Sequence, residues 1–204
     1  MILVHHLRVG RSVFTVWLLE ELGLDYELKV YERDPKTMRA DPALRDAHPL
    51  GKSPVIEVDG FTLAESGAIA AYLVERFDNG ALGPGEGVEA RGKWLQWLHY
   101  SEGSAFVPLI MTMLLQREQG ETPKLIAGFA AGEVKLHLDY LAASLGDGPY
   151  ILGERFSAPD VGLGYAVNMA GRLGLLEAYP TLAAYAQRVC ARPAFLKAME
   201  RTGG

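Results

Sequence analysis

The chain has 204 residues, 49 % apolar and 22 % charged, enough to build one or two domains with a core and unlike a disordered chain. A net charge of −5 argues against a general nucleic-acid or anionic-membrane binder, which needs a basic face. The single cysteine, Cys190, excludes an internal disulfide, a zinc cluster and a CxxC couple.

The opening Met1-Ile2-Leu3-Val4-His5-His6 lacks the basic start and long apolar run of a signal peptide, and Ile2-Leu3-Val4 suits a short buried strand. No uncharged stretch approaches the ~20 apolar residues of a membrane span, so the expectation is a soluble, cytoplasmic protein. Val13 to Leu22 carries apolar residues at 14, 17, 18 and 22, with Glu20 and Glu21 outward and Gly23 in the C-cap position, and predicts a helix. Tyr26 to Val30 alternates as a second strand, which makes a right-handed parallel βαβ unit. Asp41-Pro42 predicts an N-cap followed by proline at the first helical position. Val55 to Val58 and Phe61 to Leu63 flank Asp59-Gly60, whose positive φ angles make a two-residue hairpin turn. Ala68 to Phe77 closes this half as a helix with Ile69, Leu73 and Phe77 on one face.

Residues 80–87, Gly80-Ala81-Leu82-Gly83-Pro84-Gly85-Glu86-Gly87, hold four glycines and a proline and predict a linker between a mixed half (1–79) and a helical half (88–204). The helical half predicts helices over Val88 to Arg117, Pro123 to Leu145, Ala158 to Leu173 and Thr181 to Ala191, then a short one after Pro193. Pro108 predicts a kink in the first. Ser157 and Asp160 form a capping box, with Phe156 and Val161 as its hydrophobic staple.

This order, with Gly51-Lys52-Ser53-Pro54-Val55 leading into the hairpin and Ala64-Glu65-Ser66-Gly67-Ala68-Ile69 opening the next helix, resembles the cytosolic glutathione transferases. His5-His6-Leu7, Trp17-Leu18-Leu19-Glu20-Glu21-Leu22-Gly23 and His48-Pro49-Leu50-Gly51-Lys52 resemble the bacterial and fungal branch related to the theta and beta classes. The resemblance spans the whole chain, including the Ser157 to Asp160 box. It implies an α/β thioredoxin-like N-terminal domain, an all-α C-terminal domain, a homodimer, and glutathione as co-substrate with no metal.

Glutathione is a peptide-like anion, so its backbone suits a strand edge and its carboxylates suit donors and positive potential. In the family the bond before the residue matching Pro54 is cis, so Ser53 would pair with the cysteinyl unit through its backbone, as an added strand does. By the same resemblance Ser66, at a helix N-terminus, holds the γ-glutamyl carboxylate, Glu65 its ammonium, and Lys52 the glycine carboxylate. Taken singly, Ser66 reads as a plain N-cap and Lys52 as a solvated turn residue; the three together in family spacing favour the site.

A free thiol titrates near ~8.5 and needs positive potential or donors to ionise at neutral pH. Theta-like relatives place a serine in the loop after the first strand, and beta-like relatives a cysteine one residue later. Here those positions fall on Gly10 and Arg11. The candidates for activating the thiol are therefore Ser12, the nearest hydroxyl, Arg11 as a charge, and backbone N–H groups at the helix start, with His5 or His6 as alternatives. The absence of a cysteine near the loop argues against thiol–disulfide exchange through the protein, and the bound glutathione thiolate is the expected nucleophile.

The electrophile pocket is expected between the halves, along the first long helix, where Trp97, Tyr100, Ser101, Ser104 and Met111 approximate one face, Trp97 and Met111 reading mainly as core. Tyr100 and Ser104 each bring a polar end and are the substrate-binding candidates. Ser101 and Glu102 match beta-class positions that reach glutathione in the neighbouring subunit, and Ser104 falls where those relatives carry a pocket histidine. Cys190 reads as a small buried hydrophobe. The expected function is a glutathione-dependent transferase acting on a small hydrophobic electrophile, as in detoxification. The alternatives are an interaction module without catalysis and a specialised glutathione-dependent isomerase or thioether lyase.

Overall fold

In a computed structural model that describes residues 1–203, the first half runs β1 (Ile2–Leu7), α1 (Ser12–Glu21), β2 (Tyr26–Tyr31), α2 (Leu44–Ala47), β3 (Val55–Val58), β4 (Phe61–Ala64) and α3 (Ser66–Phe77). The four strands form one sheet in the order β2-β1-β3-β4. β1 lies parallel to β2, Ile2 opposite Tyr26, and antiparallel to β3, Ile2 opposite Val58. The β3–β4 hairpin closes on Asp59 (φ 49°) and Gly60 (φ 87°), the two positive angles that its Asp-Gly pair predicts. The Asp41 carboxylate accepts from the Ala43 amide at 2.8 Å, and the single turn of α2 follows from Leu44.

The second half continues as α4 (Val88–Tyr100), a π-helical turn (Ser101–Ala105), α5 (Phe106–Arg117), α6 (Lys124–Leu145), α7 (Ala158–Arg172), α8 (Pro180–Cys190) and α9 (Pro193–Thr202). The expected single helix from Val88 to Arg117 is broken at 101–105, ahead of Pro108. A proline ring crowds the carbonyl four residues back, here Ser104, and the widened turn ends there. The capping box at the head of α7 is present, and Asp160 within it is fully buried. Its carboxylate accepts from the Ile151 and Ser157 amides and from the hydroxyls of Ser157 and Tyr185, each at 2.9 Å. Burial pushes this carboxyl up from its ordinary value, while those four donors pull it down.

The chain divides into two units: Met1–Asn79 together with the stretch from Ala191, and Gly80–Cys190. The last helix, expected within the helical half 88–204, therefore packs with the first unit. α1 buries eight consecutive residues, Ser12 to Leu19, because it is covered by α9 as well as by β1 and α3. The Trp17 and Phe195 rings meet edge to face at 4.9 Å. Glu20 and Glu21, expected to point outward, are instead enclosed beneath cations of the C-terminal segment. Arg192 grips Glu21 in a fork at 2.6 and 2.7 Å, and Lys197 reaches Glu20 at 2.6 Å. Residues 80–87 are not a free tether: the Leu82 carbonyl accepts from Trp94 Nε1 and the Ala158 amide, and Arg155 holds the Gly80 and Gly83 carbonyls, all within the second unit.

Candidate functional site

The loop before β3 carries a cis Ser53–Pro54 bond. Both hydrogen bonds at Ser53 run through its hydroxyl, which donates to the His5 carbonyl at 2.7 Å and accepts from the Leu7 amide at 3.2 Å. The side chain thus fastens the loop to β1. Lys52 beside it is exposed. At the far end of the hairpin, Glu65 is exposed and left-handed (φ 71°), an expensive backbone region for a residue with a side chain. Ser66 follows as the first residue of α3 and is buried. The first intrahelical bond runs from the Ile69 amide to the Glu65 carbonyl at 2.8 Å, so the turn ahead of it aims its amides out of the helix N-terminus.

The β1–α1 loop holds a second backbone outlier. Val9, 77 % exposed and β-branched, sits at φ 52°. Gly10 follows because nothing larger fits: a Cβ there would lie 2.5 Å from the Leu7 carbonyl oxygen. A serine at this position would force the loop backbone to shift. Ser12, the candidate thiol-activating hydroxyl, is fully buried, and its hydroxyl is bonded inward to His6 Nδ1 at 2.8 Å. His6 is itself buried, with Nε2 3.3 Å from the Thr202 carbonyl, and burial holds its imidazole below the ordinary value. His5 points to the other side of the sheet, to the Tyr31 hydroxyl at 2.8 Å and Glu57 at 2.7 Å. Arg11 is half-buried at the N-cap of α1.

In the helical unit the expected residues do not converge. Tyr100 turns into α6: its hydroxyl meets His137 Nδ1 at 2.6 Å, and its ring packs on Trp97 and Tyr140 at 5.2 and 5.4 Å. Burial, aided by Tyr140, pushes its phenol up to about 12. Ser101 turns into α7. It is buried, donates to the Leu98 carbonyl at 2.9 Å, and faces Gly162 so closely that a Cβ there would stand 2.6 Å from its Oγ. Glu102 and Ser104 are half-buried on the π-helical turn. An open pocket of about 300 Å³ lies where α5 leads into α6, lined by Met111, Leu114, Leu115, Glu118, Glu121, Pro123 and Ile126. Cys190 ends α8, and burial pushes its thiol up to about 11, away from reactivity.

The family model of the glutathione S-transferase N-terminal domain matches residues 1–75, and that of the C-terminal domain residues 113–188. Glutathione S-transferase 3 of Schizosaccharomyces pombe is 34 % identical over 214 residues, covering 98 % of this chain and 88 % of that protein. The chain belongs to the glutathione S-transferase family. Among solved structures, a glutathione S-transferase from Actinobacillus pleuropneumoniae superposes with a TM-score of 0.88 at 32 % identity, covering 100 % of this chain and 94 % of that one. A sphingomonad glutathione S-transferase complexed with glutathione gives 0.80 at 28 % identity, covering 98 % of both. The chain is thus a glutathione transferase with a thioredoxin-like sheet unit and a helical unit.

Within this transferase, His137 and Tyr140 escaped the sequence reading although they hold Tyr100 in place. Their signal is a histidine and a tyrosine three residues apart on α6, which reads as ordinary helix packing until the partner helix is known. Arg33 escaped too, because its partners are backbone carbonyls, which leave no trace in side-chain spacing.

Proposed function

We propose that this transferase binds glutathione along the edge at Ser53–Pro54 and directs its thiolate at a small hydrophobic electrophile. The backbone N–H and C=O of Ser53 pair with the cysteinyl unit, since its hydroxyl is already engaged with β1. Ser66 and the N-terminus of α3 take the γ-glutamyl carboxylate, Glu65 the ammonium, and Lys52 the glycyl carboxylate. The observation that carries this reading is Glu65 in left-handed conformation immediately ahead of Ser66. Such a residue costs on the order of 1–3 kcal/mol, and strain of this kind gathers where a ligand is gripped.

The sulfur then lies at the start of α1. With Gly10 unable to carry a side chain and Ser12 turned inward, the thiolate is held by the α1 amides and helix dipole and by the charge of Arg11. The thiol proton leaves to solvent. The sulfur bonds to the electrophilic carbon, and the substrate either takes up a proton or expels its leaving group. Ser104 and the pocket around Met111 and Leu115 receive the electrophile, and the carboxylates of Glu118 and Glu121 there disfavour anionic substrates. On α6, exposed Leu125, Phe129, Leu136 and Tyr140 form a stripe that supports a homodimer, covered by a second copy.

Ser66→Ala is expected to weaken glutathione binding at least about fivefold, ~1 kcal/mol, when titrated calorimetrically. An unchanged dissociation constant overturns the carboxylate assignment.

A further inference from the structure

Arg33, just past β2, gives its guanidinium to two loops at once. Nε donates to the Arg8 carbonyl at 2.9 Å and Nη2 to the Val9 carbonyl at 3.1 Å. Those carbonyls belong to the two peptide planes that flank the Val9 Cα, so this pair of bonds grips the strained residue from both sides. Nη1 donates to the Met38 carbonyl at 2.8 Å. The loop behind Met38 is firm: Arg33 bridges to Ala40, and the Asp34 carboxylate accepts from the amides of Lys36 and Thr37 and from the Thr37 hydroxyl. The planar guanidinium reaches three carbonyls at once, a fork that an ammonium does not reproduce. A Cβ at Gly10 would lie 3.5 Å from Arg33 Nη2, so the guanidinium is in van der Waals reach of position 10.

We propose that Arg33 supplies what position 10 cannot: it locks the β1–α1 loop and sets a permanent cation beside the glutathione sulfur, as the positioning residue for the thiolate. This rests on the reading that the sulfur lies at the start of α1. The other charges around this loop are Arg11 at the head of α1, Arg8 and Asp34. Arg8 is paired with Glu32 at 2.6 Å, and Asp34 is spent on its own turn. A fixed cation near a thiol favours the thiolate and lowers its pKa.

The test uses the full chain and two probes: glutathione, whose bound thiolate is followed by ultraviolet absorbance against pH, and S-methylglutathione, which has no thiol to ionise. Arg33→Gln is expected to raise the apparent pKa of the bound thiol by about one pH unit, and Arg33→Lys by less, because the charge is kept. S-methylglutathione affinity should stay within about threefold of wild type in both. A titration unmoved in Arg33→Gln overturns the proposal. So does a loss of S-methylglutathione binding as large as the loss of thiolate, which would make Arg33 a scaffold residue only. Wild-type protein that binds S-methylglutathione but shows no thiolate with glutathione overturns the placement of the sulfur, and this inference with it.

Discussion

His5 and His6 are neighbours in sequence and leave β1 on opposite sides of the sheet, one to Tyr31 and Glu57, the other to Ser12 and Thr202. Burial lowers the His6 pKa, and its bond to the Thr202 carbonyl opposes this only in part. The unfolded chain therefore takes up the proton first, near ~6.5, and the folded chain only at lower pH. The His6 contribution is intact above that value and is lost as pH falls through the folded value. Urea midpoints of wild type should fall between pH 7.5 and 5.5 more steeply than those of His6→Gln, which cannot protonate; parallel curves would contradict the assignment. At this scale the sequence ranked Ser12 for catalysis because it is the hydroxyl nearest Gly10. What turns it inward is a histidine on the strand and a helix arriving from residue 193 onward, and neither constraint is visible from the loop itself.

Among the elements, the hairpin at Asp59-Gly60 and the Ser157–Asp160 box were legible because each is fixed by residues within four positions of one another. The interruption after α4 was legible only as a consequence of Pro108. Its location at 101–105 depends also on packing, since buried Ser101 sits against Gly162 of α7. A methyl group at 162 would meet Ser101 Oγ at 2.6 Å and Cβ at 3.0 Å, too close for either atom. Gly162→Ala is accordingly expected to cost about 1–3 kcal/mol in urea unfolding. Combining it with Ser101→Gly should restore much of the loss in a double-mutant cycle, and strict additivity would show that the two sites do not touch. The same contact sets the surroundings of Ser101 through a glycine on α7, a partner that the motif around Ser101 does not specify.

For the molecule as a whole, the division into a mixed half and a helical half was readable from composition, whereas the return of the last helix to the first unit was not. Residues 193–202 are helical like those before them, and only their pairing reveals the unit they serve. Arg192 and Glu21 are 171 positions apart. Arg192→Ala leaves an enclosed carboxylate without its fork, and a loss of about 2 kcal/mol is expected, below the full cost of a buried pair because the arginine is partly exposed. Chemical denaturation measures it, and Glu21→Gln in the same background should recover part. The arrangement also bears on how the protein is made. A ribosome releases the sheet and α1 early but the segment that roofs Trp17 only after the entire helical unit has been synthesised. Vectorial folding, in which amino-terminal domains mature first, is thus reversed here: the nascent first unit carries a bare apolar face, a substrate for chaperones, until the final helix emerges.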